Sequence, residues 1–514
     1  MAVSPFYLKY IKTYLWQGVS FILRFLSMFI VMPFLTKSPS VYGIYAICIS
    51  ITLFLNYADL GFLRAGQKYA AESFAKNDRQ SEMKFIGFGA FILLIFSLIC
   101  SLVFFFLSMK PEILIKNLGI YENVKIASNL LLILAFFTPI TIAQRILSMI
   151  FEIRLEGYIF QRLNLISSLI SILSVFYFFK EDRYEIVLYF LLLQILSLLV
   201  VVASSIILTK RYNYEFLKLL KNISFNREIY HGMKALAYSG LYIMLVWILF
   251  YELDQIVIGK FLGVEKVALY SIAIVVATFF RSIYGILFSP LSVQANYYVG
   301  NDDREGLRNF CLQVYSFSAP IVIIPTIAFA IISKSLIITW VGPSYSESVN
   351  LAIFFSLLFS ISFVSYTSSI FLVANVRIKE MYVISTIQAL IFWVGVISTY
   401  SSLGLFSFAL FKLIATIVSE IYYFFLLSNF VELSVINLML KVVNPILIPL
   451  TFLILSLLFV VQFFPNTKSS FNLLIVLGTT GLLIGFSLVL YYFTSSELRK
   501  FTNDFFSNIS MGKS

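Results

Sequence analysis

TYLWQGVSFILRFLSMFIVMPFL, residues 13–35, is an apolar run of the length that crosses a bilayer as one helix, and it carries an arginine at its centre. About twelve helical residues, or roughly 18 Å of rise, separate Arg24 from either end. An ionised side chain at that depth costs at least about 2.5–3.5 kcal/mol, so it normally faces a protein interior or a watery cavity. Arg281 lies nearly as deep in a later run. Two mid-membrane guanidinium groups in a chain with only 12% charged residues direct attention to transport of an anion.

The same pattern recurs along the whole chain. Of 514 residues 60% are hydrophobic, including 55 Phe and 31 Tyr, and the mean hydropathy is +0.95. The apolar runs are continuous and do not alternate polar with apolar, so membrane helices are expected and a barrel is not. Spans are predicted near 13–35, 42–63, 85–109, 126–151, 160–179, 186–209, 235–258, 267–290, 310–333, 349–373, 381–402, 405–428, 442–464 and 471–494. The fold class is therefore an all-α polytopic membrane protein of about fourteen transmembrane helices. Pro39, Pro111, Gly342 with Pro343, and Pro465 mark ends of runs. Pro139, Pro320, Pro325, Pro445 and Pro449 fall inside runs, where proline kinks a membrane helix.

Lys and Arg in the connections on the amino-terminal side of the membrane outnumber those opposite by more than two to one, which predicts cytoplasmic amino and carboxyl termini. The net charge of +12 is largely this topological signal. It is scattered over short loops, so nucleic acid is not an expected partner. The first run is longer than a signal-peptide core and lacks a small-residue cleavage site, so it is read as a span. Cys48, Cys100 and Cys311 have no metal-like or disulfide-like spacing, and His231 sits in a connection. The longest connections, 64–84 and 210–234, interleave apolar residues with Lys, a pattern suited to a helix along the inner interface. No phosphate-cradling loop and no large hydrophilic domain is present in the sequence. The chain therefore reads as a transporter and not an enzyme, with no cofactor and no metal, and as a monomer.

A weak internal repeat organises the spans. Val41, Tyr42, Gly43, Ile44, Tyr45 and Ala46 open the second run, and Val267, Ala268, Leu269, Tyr270, Ser271 and Ile272 open the eighth. An offset of six spans preserves orientation, which predicts two parallel six-helix lobes. The expected domains are 1–209, an amino-terminal lobe; 210–234, a cytoplasmic connection; 235–428, a second lobe; and 429–514, an extra helix pair with a cytoplasmic tail.

The stretch 24–34, then Pro33, Phe34, Leu35 and Thr36, Tyr42 to Tyr45, and Asp59, Leu60, Gly61 and Phe62 resembles the polysaccharide-exporting branch of the multidrug/oligosaccharidyl-lipid/polysaccharide (MOP) superfamily. The stretch 254–263, DQIVIGKFLG, with Val267 to Tyr270, resembles the matching segment of that branch's second lobe. The resemblance covers roughly residues 5–440. It implies a flippase of the Wzx type in the bacterial inner membrane. Such a flippase moves undecaprenyl-diphosphate-linked oligosaccharide, such as an O-antigen unit for lipopolysaccharide, from the inner to the outer leaflet. Its partners would be that glycan, membrane lipids and polysaccharide polymerase or export machinery.

A diphosphate-linked sugar needs a hydrated cationic cavity, and arginine's planar fork of donors matches phosphate oxygens. Arg24 and Arg281 are the first candidates for diphosphate contact. Arg145 either lines the cavity or snorkels to the lipid heads. Lys412 lies about two turns from Glu420, and the pair reads equally as a structural ion pair or as cavity residues. Asp59 reads as a gate or as half of a helix-end ion pair. Glu252 and Asp254 sit near the outer end of the seventh span, on different faces of a helix. Asp254 would couple a proton or cation, or bond the outer loop at Lys260. Tyr57, Tyr238, Tyr242, Trp247, Tyr251, Tyr284 and Tyr366 suit either sugar stacking or membrane packing. Transport would proceed by rocking of the lobes around a central site. A peptidoglycan-precursor flippase and a cation-coupled drug antiporter of the same superfamily are the alternatives. A membrane sugar polymerase or acyltransferase would be expected to carry a large outer loop.

Overall fold

The computed structural model describes residues 5–55, 61–180, 183–375, 377–496 and 498–499, and every regular element among them is a helix. Twelve helices are long and apolar enough to cross a membrane, one further pair is bent by 41° at its break, and the apolar helix Pro39–Leu53 is shorter. Together they fall one for one on the fourteen predicted segments. Large apolar side chains stay exposed on these helices, such as Phe106, Leu173 and Leu482. Lipid tails are as apolar as leucine, so such faces are stable only in hydrocarbon and the helices associate through packing.

The chain divides into two compact units, residues 1–268 and 269–514. The first contains α1 (Pro5–Leu35), α2 (Pro39–Leu55), α3 (Phe62–Ala75), α4 (Arg79–Met109), α5 (Tyr121–Ile153), α6 (Gly157–Phe178), α7 (Ile186–Tyr212), α8 (Phe216–Lys221), α9 (Arg227–Tyr251) and α10 (Asp254–Phe261). Here α5 packs on α2, α4 and α7, while α3 packs on α4 and α9. The helix α11 (Val264–Gly300) carries the chain into the second unit, which continues with α12 (Arg304–Trp340), α13 (Ser348–Ile361), α14 (Phe363–Ala374), α15 (Ile378–Leu403), α16 (Phe406–Val431), α17 (Val435–Val460) and α18 (Ser470–Thr494). There α12 packs on α13, α16, α17 and α18, and the Tyr491 hydroxyl donates to the Ser316 carbonyl oxygen at 2.9 Å, joining α18 to α12.

Two predicted segments, 235–258 and 349–373, are broken where one helix is expected. On the segment 42–63, α2 is described as far as Leu55, residues 56–60 lie outside the described residues, and α3 begins after Gly61, whose φ of 74° is open to glycine at little cost. A Cβ on Gly61 would stand 2.1 Å from the Ala237 carbonyl oxygen, so glycine also permits the close packing of α9. The connection 64–84 contains the amphipathic helix α3, which packs on α4 and α9. The segment 235–258 divides into α9 and α10, and 349–373 into α13 and α14. The interfacial helix expected over 210–234 is limited to the six residues of α8, because α7 runs to Tyr212 and α9 starts at Arg227.

The repeated tyrosines have equivalent surroundings. Tyr45 of α2 meets Phe190 of α7 edge-on at 5.9 Å, and Tyr270 of α11 meets Phe408 of α16 edge-on at 6.2 Å. The sixth and twelfth spans thus receive the tyrosines of the second and eighth. Other pairs recur with the same offset: α4 on α5 as α12 on α13, α5 on α7 as α13 on α16, and α6 on α7 as α15 on α16. Gly43 lets α2 approach the start of α11, since a Cβ there would lie 2.0 Å from the Val264 carbonyl oxygen.

Candidate functional site

In the first unit α5 carries a polar stripe on an otherwise apolar span. Thr141, Gln144, Arg145, Ser148 and Glu152 recur at helical spacing and share one face. That face lines a cleft of about 310 Å³, closed by Leu63, Arg64 and Gln67 of α3 and by Phe160 and Asn164 of α6. Arg145 lies eight residues before the end of α5, about 12 Å of rise, and Thr141 about 18 Å. The cleft therefore reaches well into the span. Arg145 is half-buried, and its Nη1 donates to the Leu55 carbonyl oxygen at 3.4 Å. Gln144 Nε2 donates to the Ser197 carbonyl oxygen of α7 at 3.0 Å. At the mouth, the Glu152 carboxylate accepts from Gln67 Nε2 at 2.9 Å and from Ser148 Oγ at 2.8 Å.

A second charged cluster in this unit was not singled out from the sequence. Arg154, in the α5–α6 connection, donates to Glu82 of α4 at 2.6 Å, with both side chains buried, and to the Ile150 carbonyl oxygen at 2.8 Å. Its guanidinium also stands over the rings of Phe74, Tyr214 and Tyr212 at 4.9, 5.2 and 5.5 Å. Arg79 adds a contact to Glu82 at 3.3 Å and covers Tyr214 at 4.4 Å. Buried Glu156 pairs with Arg211 at 2.8 Å and accepts from the Tyr212 hydroxyl. Burial pushes the Tyr214 hydroxyl above its ordinary pKa, so it stays neutral. This knot joins α3, α4, α5 and α7 at one end of the unit. Opposite charges flanking spans on the same side of the membrane were the available signal.

Glu252 and Asp254 are both buried, at 7% and 1% exposure, but they do not lie on one continuous helix. The chain leaves α9 at Glu252, and Asp254 opens α10, so the expectation that they point to different faces of a helix does not hold. The break is held by Ser50 Oγ, which donates to the Glu252 carbonyl oxygen at 3.0 Å. Lys260 Nζ donates to the Ile113 carbonyl oxygen, joining α10 to the α4–α5 connection.

In the second unit Arg281 is half-buried on α11. One turn on, buried Tyr284 donates to the Val322 carbonyl oxygen at 3.3 Å and meets Tyr366 at 5.6 Å, while Phe288 stacks on Tyr366 at 5.0 Å. Lys412, Thr416, Ser419 and Glu420 form a buried polar face on α16. Lys412 Nζ lies 5.0 Å from the centre of the Phe392 ring. Glu420 Oε2 accepts from the Ser365 backbone N–H at 2.8 Å, in the first turn of α14. Eight residues separate Lys412 from Glu420, about 12 Å of rise, so they share a face without meeting as a contact ion pair. Arg24 lies in α1 with its side chain outside the described set, and Asp59 and Tyr57 lie outside the described residues.

No family's sequence model matches the chain, and no curated protein matches it in sequence. Solved structures do. The lipid II flippase MurJ in an inward closed conformation superposes with a TM-score of 0.69 at 17% identity, over 94% of this chain and 98% of that one. The chain shares that fold. An inward-facing multidrug resistance MATE transporter of the MOP superfamily follows with a TM-score of 0.60 at 13% identity, over 80% of this chain and 96% of that one. A MOP superfamily transporter from Pyrococcus furiosus, described by the reverse polarity of its binding pocket, gives a TM-score of 0.54 at 13% identity, over 82% and 96%. These neighbours are transporters, and the chain shares their multi-span helical architecture.

Proposed function

We infer that the chain is a flippase for undecaprenyl-diphosphate-linked oligosaccharide of the Wzx type, moving an O-antigen or other surface-polysaccharide unit from the inner to the outer leaflet of the bacterial inner membrane. The observation that carries the reading is a set of cations inside the spans, Arg145, Arg281 and buried Lys412, on a fold that covers nearly all of a lipid II flippase. The diphosphate would meet Arg24, Arg281, Arg145 and Lys412, with the hydrocarbon tail left in lipid. Asp59, Glu252, Asp254 and Glu420 are the acidic positions for gating or ion coupling. Both termini would be cytoplasmic. The match to the lipid II flippase covers a larger share of the chain than the MATE matches do, 94% against 80–82%. That larger coverage favours a flippase over a drug antiporter.

The test is complementation of a strain depleted of its O-unit flippase and making the matching glycan, at equal membrane expression. The wild-type chain should restore surface polysaccharide, and Arg24→Ala and Arg281→Ala should lose it. Rescue of a peptidoglycan-flippase depletion instead would establish the second reading, which the lipid II flippase fold favours. Activity surviving both substitutions would refute the cationic route.

A further inference from the structure

The α5 cleft has a composition that a bare anion does not require. It holds two guanidinium groups, Arg64 and Arg145, but its mouth is set with a carboxylate and amides. Glu152 is oriented by Gln67 and Ser148, so its oxygens are fixed acceptors at the entrance. Each polar side chain in a span costs free energy unless it is satisfied or hydrated. The fold nonetheless keeps five of them on one face of α5, opposite Asn164 and beside the ring of Phe160. Amides, hydroxyls and a carboxylate suit a ligand that donates and accepts hydrogen bonds at several points around its rim. A sugar ring has that chemistry. A cleft of about 310 Å³ is at the lower end of the usual range for small-ligand sites, about 300–1,000 Å³.

We propose that this cleft is a carbohydrate subsite, an assignment that rests on the flippase reading and locates within the first unit the residues that read the glycan. The hydroxyl or acetamido groups of one ring of the lipid-linked sugar bond Glu152, Asn164 and Ser148, and Arg145 lies deeper along the same face. The site chooses the sugar, while the diphosphate supplies affinity common to all lipid-linked glycans.

The experiment measures binding to the full-length chain in phospholipid nanodiscs. The probes are undecaprenyl diphosphate and the same lipid bearing one N-acetylglucosamine, N-acetylgalactosamine, glucose or galactose. At least one glycosylated probe should bind about tenfold tighter than the bare lipid, the size of one or two net hydrogen bonds. Asn164→Leu and Glu152→Gln should erase that preference and leave bare-lipid affinity within about twofold. Ser148→Ala, which removes a hydroxyl and little volume, supplies the same reading if Asn164→Leu fails to fold. Equal weakening of bare and glycosylated lipid, or no preference for any sugar in the wild type, overturns the subsite. Failure of the wild type to bind bare undecaprenyl diphosphate overturns the flippase reading itself, and this assignment with it.

Discussion

Deleting both partners of the buried pair between Glu82 and Arg154 should cost the first unit less than the sum of the two single deletions. The two side chains are 0% and 2% exposed and 2.6 Å apart, so either charge left alone has no route to water. Stranding a buried charge costs about 3–5 kcal/mol, whereas replacing a whole buried pair with apolar residues is often close to neutral. The neighbours make the two single changes unequal. In Arg154→Met, Glu82 retains Arg79 at 3.3 Å, so the loss should be about 2–3 kcal/mol. In Glu82→Leu both Arg154 and Arg79 lose their acceptor, and the loss should reach about 4–5 kcal/mol. The double variant should recover at least about 2 kcal/mol relative to the sum of the singles. The assay is unfolding of the purified protein in one detergent, followed by loss of the monodisperse peak after heating, with the double-mutant cycle closed at one temperature. Additive costs, or a Glu82→Leu variant less damaged than Arg154→Met, would refute the account of Glu82 as the shared acceptor.

Gly43→Val should cost about 3 kcal/mol or more, because its Cβ position stands 2.0 Å from the backbone oxygen of Val264; near-wild-type thermal stability would show that this contact relaxes freely. Glu420→Gln should keep an acceptor for the Ser365 N–H and remain within about 1 kcal/mol of wild type, while Glu420→Leu should lose about 1–3 kcal/mol. Equal melting of the two would remove Glu420 from the capping of α14. Tyr270→Ala should cost about 3–5 kcal/mol, since the ring is fully buried against Phe355 and Phe408. Tolerance of the alanine would undo the packing role assigned to the repeated tyrosine.

The amino-acid sequence alone determined where the apolar helices lie, because about twenty consecutive apolar residues leave a helix in lipid as almost the only outcome. It also exposed the six-span repeat through Tyr45 and Tyr270, whose matched rings on α7 and α16 the fold then displays. The α5 stripe was legible in part. Its spacing is present in the sequence, yet only Arg145 drew notice, because whether a polar face meets lipid or a cleft depends on α3 and α6 arriving from elsewhere in the chain. The breaks at 252–254 and at Ser362 had no proline or glycine to announce them; they are held by partners distant in sequence, Ser50 for the first and Glu420 for the second. Glu82 and Arg154 are 72 residues apart and read singly as ordinary span-end charges. Hydropathy is a property of each segment by itself and survives in the sequence, whereas the rotation of each helix and the partner of each buried charge come from packing between segments, which only the tertiary structure decided.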